Sequence, residues 1–184
     1  MPDLIIANKE ENVKEQVDAL RNIAPVWTSD VNDLDSALSM IRSIGELTNR
    51  IATAVELTTT IIKNFETLSV INQYASAAYL VWKDPYMTVG GDTFISNIMQ
   101  RAGIKNVFAH LSRYPEISLN EITNSNCDLV MLSSEPYPFK QKHADELTLL
   151  LPGKKVMLVD GEMFSWYGSR LQYTPAYLKK IWAD

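Results

Sequence analysis

Between Ile41 and Leu68, apolar residues recur in steps of three and four, at Leu47, Ile51, Ala54, Val55, Ile62, Phe65 and Leu68. That is the period of a helix with one buried face. No Gly or Pro occurs between Gly45 and Pro85, so one helix is predicted over residues 46–68, about 35 Å long at 1.5 Å per residue. The cluster Thr58, Thr59, Thr60 lowers its intrinsic propensity, so packing has to hold it.

On either side of this helix the pattern changes to short apolar runs. Residues 4–7 carry an unalternated run, which suits a strand of a parallel sheet covered on both faces. Residues 12–20 are predicted helical with Val13, Val17 and Leu20 inward, residues 26–28 form the next strand, and Asp30 or Asn32 caps a helix over 33–44. After the long helix, strands are expected over 77–82, 129–132 and 156–159, and helices over 94–102, 116–123, 140–147 and 174–182. Strands alternating with helices mean an α/β fold of mainly parallel sheet.

The two flanks resemble each other. Pro2-Asp3-Leu4-Ile5-Ile6 leads to Glu10, and Cys127-Asp128-Leu129-Val130-Met131 leads to Glu135, with Asp to Glu spanning seven positions in both. Each continues through a polar, helix-like stretch into a second strand, at Val26 and at Val156. Two βα units around one helix predict two lobes and a rigid connector: an N-terminal lobe over 1–45, the helix, and a C-terminal lobe over 69–184. The left flank is the shorter and opens almost at once on a strand, so its lobe is expected to be incomplete. An exposed strand edge there would favour self-association.

Composition narrows the function. With 46% hydrophobic residues the chain can build a real core, and its net charge of −5, without a Lys/Arg cluster, argues against a nucleic-acid surface. No apolar run approaches membrane-spanning length. One Cys excludes an internal disulfide.

Three stretches carry candidate chemistry. Gly90-Gly91-Asp92-Thr93 is suited to cradle an anion at a helix start, but lacks dinucleotide or phosphate-loop spacing and reads better as a tight turn. Cys127 with His110 or His143 would make a thiol enzyme, but a Cys entering a hydrophobic strand is usually a small buried hydrophobe, and no short spacing joins these residues into a metal site. The segment 161–170, with Trp166, Tyr167, Gly168 and Arg170, follows the carboxyl end of a strand, where open parallel sheets bind ligands. It is either a stacking platform with an anion- or amide-binding Arg, or a helix start whose Trp fills the core.

At these residues the sequence resembles the helical-backbone periplasmic binding proteins of ABC importers, which carry ferric siderophores, haem and cobalamin. The resemblance runs through residues 2–7, the connector, the segment from Pro85-Tyr86 to Thr93, Ser-Ser-Glu-Pro-Tyr-Pro-Phe at 133–139, and 160–170; the last two are most like the cobalamin-type members. It implies two α/β lobes with a ligand cleft between them, no catalysis, no cofactor of its own, a small-molecule metal chelate as ligand and a membrane permease as partner. It also implies a periplasmic or lipid-anchored extracytoplasmic location. Trp82, Tyr86, Met87, Trp166, Tyr167 and Arg170 are expected to converge on the ligand. Members dock on permease arginines with one acidic residue per lobe: Glu135 matches on the right, and Glu10, Glu11 or Glu15 on the left, with the repeat favouring Glu10. Both docking residues are expected on the outer rim, mostly exposed and without an internal partner. A corrinoid is the expected ligand, a ferric siderophore or haem the alternative, with Tyr86, Tyr167 or His110 as axial candidates for haem. An α/β enzyme using Cys127 and a pure interaction protein are the rivals from other classes.

Overall fold

The computed structural model describes residues 1–70 and 75–183. Strand β1 (Ile5–Asn8), helix α1 (Lys14–Leu20) and strand β2 (Val26–Ser29) form an N-terminal βαβ unit, its strands parallel with Ile5 opposite Val26 and Asn8 opposite Ser29. The strands are not covered on both faces as expected: Ala7 is buried but Ile6 is 47% exposed, and β1 and β2 pair with no other described strand.

The predicted long helix is two helices. α2 (Leu34–Leu47) starts at Asp33, whose carboxylate accepts from the Ser36 amide at 2.7 Å, while the Ser36 hydroxyl accepts from the Asp33 amide at 3.1 Å. It ends at Asn49, which takes a left-handed φ of 54°, a conformation Asn tolerates better than most residues. The Arg50 amide donates back to the Gly45 carbonyl at 2.6 Å, and α3 (Ile51–Glu66) folds against α2. A side chain at Gly45 would stand 2.4 Å from the Ala54 methyl, so the hairpin needs glycine there.

The buried stripe of α3 also differs from the predicted one. Ala54, Thr58, Ile61 and Phe65 face inward, whereas Leu47, Ile51, Val55 and Ile62 are 36–56% exposed. Close approach selects the small Ala54, and Thr58 is tolerated in the core because its hydroxyl donates to the Ala54 carbonyl at 2.9 Å.

The C-terminal sheet is built on β3 (Ala75–Trp82), paired parallel with β6 (Leu129–Ser133) on one side. On its other side lie β5 (Ile104–Asn106), parallel, and the two-residue β4 (Met87–Thr88), antiparallel; β7 (Lys155–Val159) extends the sheet beyond β6. Alternate residues point to opposite faces. Tyr79, Val81 and Met131 join the core formed with α2, α3, α4 (Phe94–Arg101), α7 (Glu162–Ser165) and α8 (Thr174–Ala183). Ala78, Leu80, Val130 and Leu132 pack on the other side with α5 (Leu119–Asn124) and α6 (Gln141–Leu150). β6 is buried along its whole length.

Gly90 and Gly91 serve close packing. Their amides donate to the carbonyls of Arg113 (2.7 Å) and Leu111 (3.0 Å), and a Cβ on Gly91 would lie 2.3 Å from the Ala109 carbonyl oxygen. Cys127 is buried and accepts from the Ser125 hydroxyl at 3.2 Å, while the His143 ring packs among Tyr137 and Phe139. Among the described residues no His, Cys, Asp and Glu cluster is placed to hold a metal.

Candidate ligand cleft

The carboxyl ends of β1, β2, β3, β6 and β7 open on one cleft of about 610 Å³ between the N-terminal unit and the large sheet. Glu10, Glu11 and Val31 come from the small unit, and Trp82, Met87, Tyr114, Glu135, Trp166 and Tyr167 from the large one. Among the described residues lining it none is Lys, Arg or His. A wider groove of about 1000 Å³ lies beyond Arg113, lined by Lys9, Asp30, Asp33, Asp92 and Arg113. Lys9 and Asp30 pair with each other at 2.5 Å, Arg113 pairs with Glu10, and no aromatic ring lines the groove.

Each wall is locally fixed. After β1 the Asn8 side chain accepts from the Glu11 amide at 2.8 Å and the Asn8 amide donates to Asn12 at 2.9 Å, which turns Glu10 and Glu11 into the cleft. Glu10 is paired with Arg113 of the large unit at 2.7 Å. Arg113 sits at a left-handed φ of 59° with its amide on the Asp92 carboxylate at 2.6 Å. The other oxygen of Glu10, Oε1, is buried without a hydrogen-bond partner.

On the opposite wall, Tyr79 donates to Ser133 Oγ (3.1 Å), and Ser133 Oγ donates to the Glu135 carbonyl (2.6 Å), tying the loop after β6 to the sheet core. The Glu135 carboxylate then accepts from Ser165 Oγ and from the Trp166 indole N–H, both at 2.7 Å on Oε1. Trp166 is 47% exposed. Arg170 lies 5.3 Å from the centre of its ring and pairs with Glu162 at 2.6 Å.

Four of the six expected ligand residues, Trp82, Met87, Trp166 and Tyr167, therefore meet in the cleft. Tyr86 does not: it ends the turn between β3 and β4, and its ring packs on the core that contains Phe108 and Ile117. Arg170 does not line the cleft; it stacks behind Trp166. Glu10 and Glu135 are not the exposed, unpartnered rim charges expected. Both line the cleft because both follow the carboxyl end of a strand, and Glu10 is 24% exposed in its side chain. Tyr114 and Glu11 join the lining. Burial, and then the Glu10 carboxylate, push the Tyr114 phenol well above its ordinary range. Burial and the Glu11 and Glu10 carboxylates also raise the Tyr167 phenol. Both phenols stay protonated through neutral pH.

Residues 1–149 match the family described as Periplasmic binding protein. The chain belongs to that family. No curated protein matches it in sequence. Among solved structures it is similar to a possible iron-binding (periplasmic solute-binding) protein of Staphylococcus epidermidis, with a TM-score of 0.80 at 22% identity, covering 100% of this chain and 77% of that one. It is also similar to the vitamin B12 binding protein BtuF of Vibrio cholerae (TM-score 0.77, 18% identity, 100% and 76% coverage). The periplasmic heme-binding protein RhuT of Roseiflexus sp. RS-1 gives 0.80 at 15% identity, with 98% and 74% coverage. This periplasmic binding protein thus has the two-sided α/β fold of solute receptors, with its cleft at strand carboxyl ends. Membership of that family makes it a binding protein that works outside the cytoplasm.

Proposed function

We propose that this periplasmic binding protein captures a corrinoid, a metal chelate without strong net negative charge, and delivers it to its permease. The observation that carries this is the lining of the cleft: Trp82, Tyr114, Trp166, Tyr167 and Met87 supply flat and polarisable apolar surface, and the charged residues among them are Glu10, Glu11 and Glu135. Stacking on a planar macrocycle uses that surface without polar partners. A ferric catecholate would bring several negative charges to these carboxylates. One like-charge pair 4 Å apart costs about 4 kcal/mol at an effective dielectric of about 20, more than a stacked ring pair returns. Haem is disfavoured for another reason. Tyr86 and His110 lie outside the cleft lining, and the Tyr167 phenol, pushed up by burial, resists becoming the phenolate an iron would take.

For the permease contact, the exposed Glu11 and Glu15 replace Glu10, whose carboxylate is occupied by Arg113 and largely covered. Glu135 stays the candidate on the other wall, since its described hydrogen bonds all fall on Oε1.

Calorimetric titration with cyanocobalamin, a ferric trihydroxamate, a ferric tricatecholate and haem tests the reading. Cyanocobalamin is expected to bind one to one and at least about tenfold more tightly than the tricatecholate, the ratio set by about 1.4 kcal/mol. Tighter binding of haem or of the tricatecholate would contradict it.

A further inference from the structure

We infer that Glu135 is a positioning residue for the ligand, setting the plane of Trp166 through its carboxylate oxygen Oε1. The inference rests on the proposed role of the cleft and goes beyond it, because it gives an internal task to a residue whose charge otherwise reads as a permease contact.

An indole half open to solvent has several rotamers to choose from, and a stacking platform is useful only if one is fixed beforehand. Trp166 is fixed from two directions. Its ring N–H donates to Glu135 Oε1 at 2.7 Å, a charge-assisted bond at the ring edge. The Arg170 guanidinium, held by Glu162 at 2.6 Å, covers part of the ring at 5.3 Å. Arg170 does not line the cleft, so the cleft receives the remaining ring surface.

Glu135 is itself held. Ser133 Oγ donates to its carbonyl at 2.6 Å, and Ser165 Oγ donates to the same Oε1 that Trp166 uses, at 2.7 Å. Gly161 leaves the room: a Cβ there would stand 2.6 Å from Glu135 Cγ and 2.4 Å from Ser133 Oγ. A surface carboxylate waiting for an external arginine needs none of these. A carboxylate that must present one oxygen at a fixed place needs all of them.

The two tasks ask different things of the side chain. Docking needs its charge, whereas positioning needs an acceptor at Oε1, which a Gln amide oxygen also provides. The test compares Glu135→Ala, Glu135→Gln and Trp166→Ala in the chain, with cyanocobalamin as probe and the indole N–H resonances of a ¹⁵N spectrum as the second readout. Glu135→Ala is expected to weaken binding about tenfold, the effect of losing one charge-assisted hydrogen bond, and to move the Trp166 indole resonance upfield. Glu135→Gln is expected to restore affinity to within about threefold and to return most of the shift, as a neutral acceptor does. Trp166→Ala is expected to weaken binding about tenfold or more.

Unchanged affinity in Glu135→Ala alongside a weakened Trp166→Ala overturns this inference and leaves the ligand reading standing. A Gln variant as impaired as the Ala variant also overturns it, because charge would then matter and not the acceptor. Unchanged binding in Trp166→Ala, or none in the unsubstituted chain, overturns the ligand reading and this inference with it.

Discussion

The two βαβ units, β1-α1-β2 and β6-α6-β7, have the same pairing and the same order, yet differ in what surrounds them. Leu4 to Asn8 align with Leu129 to Ser133 residue for residue, and Glu10 with Glu135. In the C-terminal unit β3 closes one side and helices close both faces, so Met131 is fully buried. In the N-terminal unit the equivalent Ile6 is 47% exposed. The local pattern sets the strand and its partner; burial is set by the neighbours. What the units share is direction. Both first strands end at the cleft, so the acidic residue two positions beyond each strand becomes part of its wall.

The largest expected effect separates the units by stability. Met131→Ala should cost about 2–5 kcal/mol in denaturant unfolding, as for a fully buried side chain, and Ile6→Ala about 1 kcal/mol or less, since half of that side chain is already in water. Equal losses would show the N-terminal unit to be as well covered as the C-terminal one. A smaller effect joins the units. Arg113→Ala removes the cation that pairs the Glu10 carboxylate of the N-terminal unit with the large unit. The Arg side chain is about half exposed, so the loss is screened to about 1 kcal/mol. Thermal unfolding should show a Tm lowered by about 2–4 °C. An unchanged Tm would reduce the pair to an ordinary surface contact.

Much of this fold was legible because it is local. The repeat of Asp3 to Glu10 and Asp128 to Glu135, the parallel strands, and the turn at Gly90-Gly91 ahead of α4 all follow from short patterns. The two-residue β4 and three-residue β5 are too short for any periodicity to reveal. The break at Asn49 was marked by Gly45 and by Asn itself, but the apolar period running through it outweighed two residues. Within the site, Trp166 and Tyr167 stood out as two adjacent aromatics, with a Gly and an Arg, in the segment that follows the carboxyl end of a strand. Tyr114 did not, nor did the pairing of Arg113 with Glu10, since Glu10 is about a hundred positions away and no local pattern announces such a contact. Glu10 and Glu135 were misplaced on the rim although the rule that puts ligand loops at strand carboxyl ends applied to them as much as to residues 161–170.

The central claim is that both units face one ligand across the cleft. Hydrogen exchange of backbone amides, with and without saturating cyanocobalamin, tests it most directly. Slowed exchange is expected on both walls together, at residues 9–11 after β1 and at 134–135 and 165–167 after β6 and β7. Protection confined to one wall, or appearing instead along the polar groove at residues 91–92 and 105–109, would contradict it.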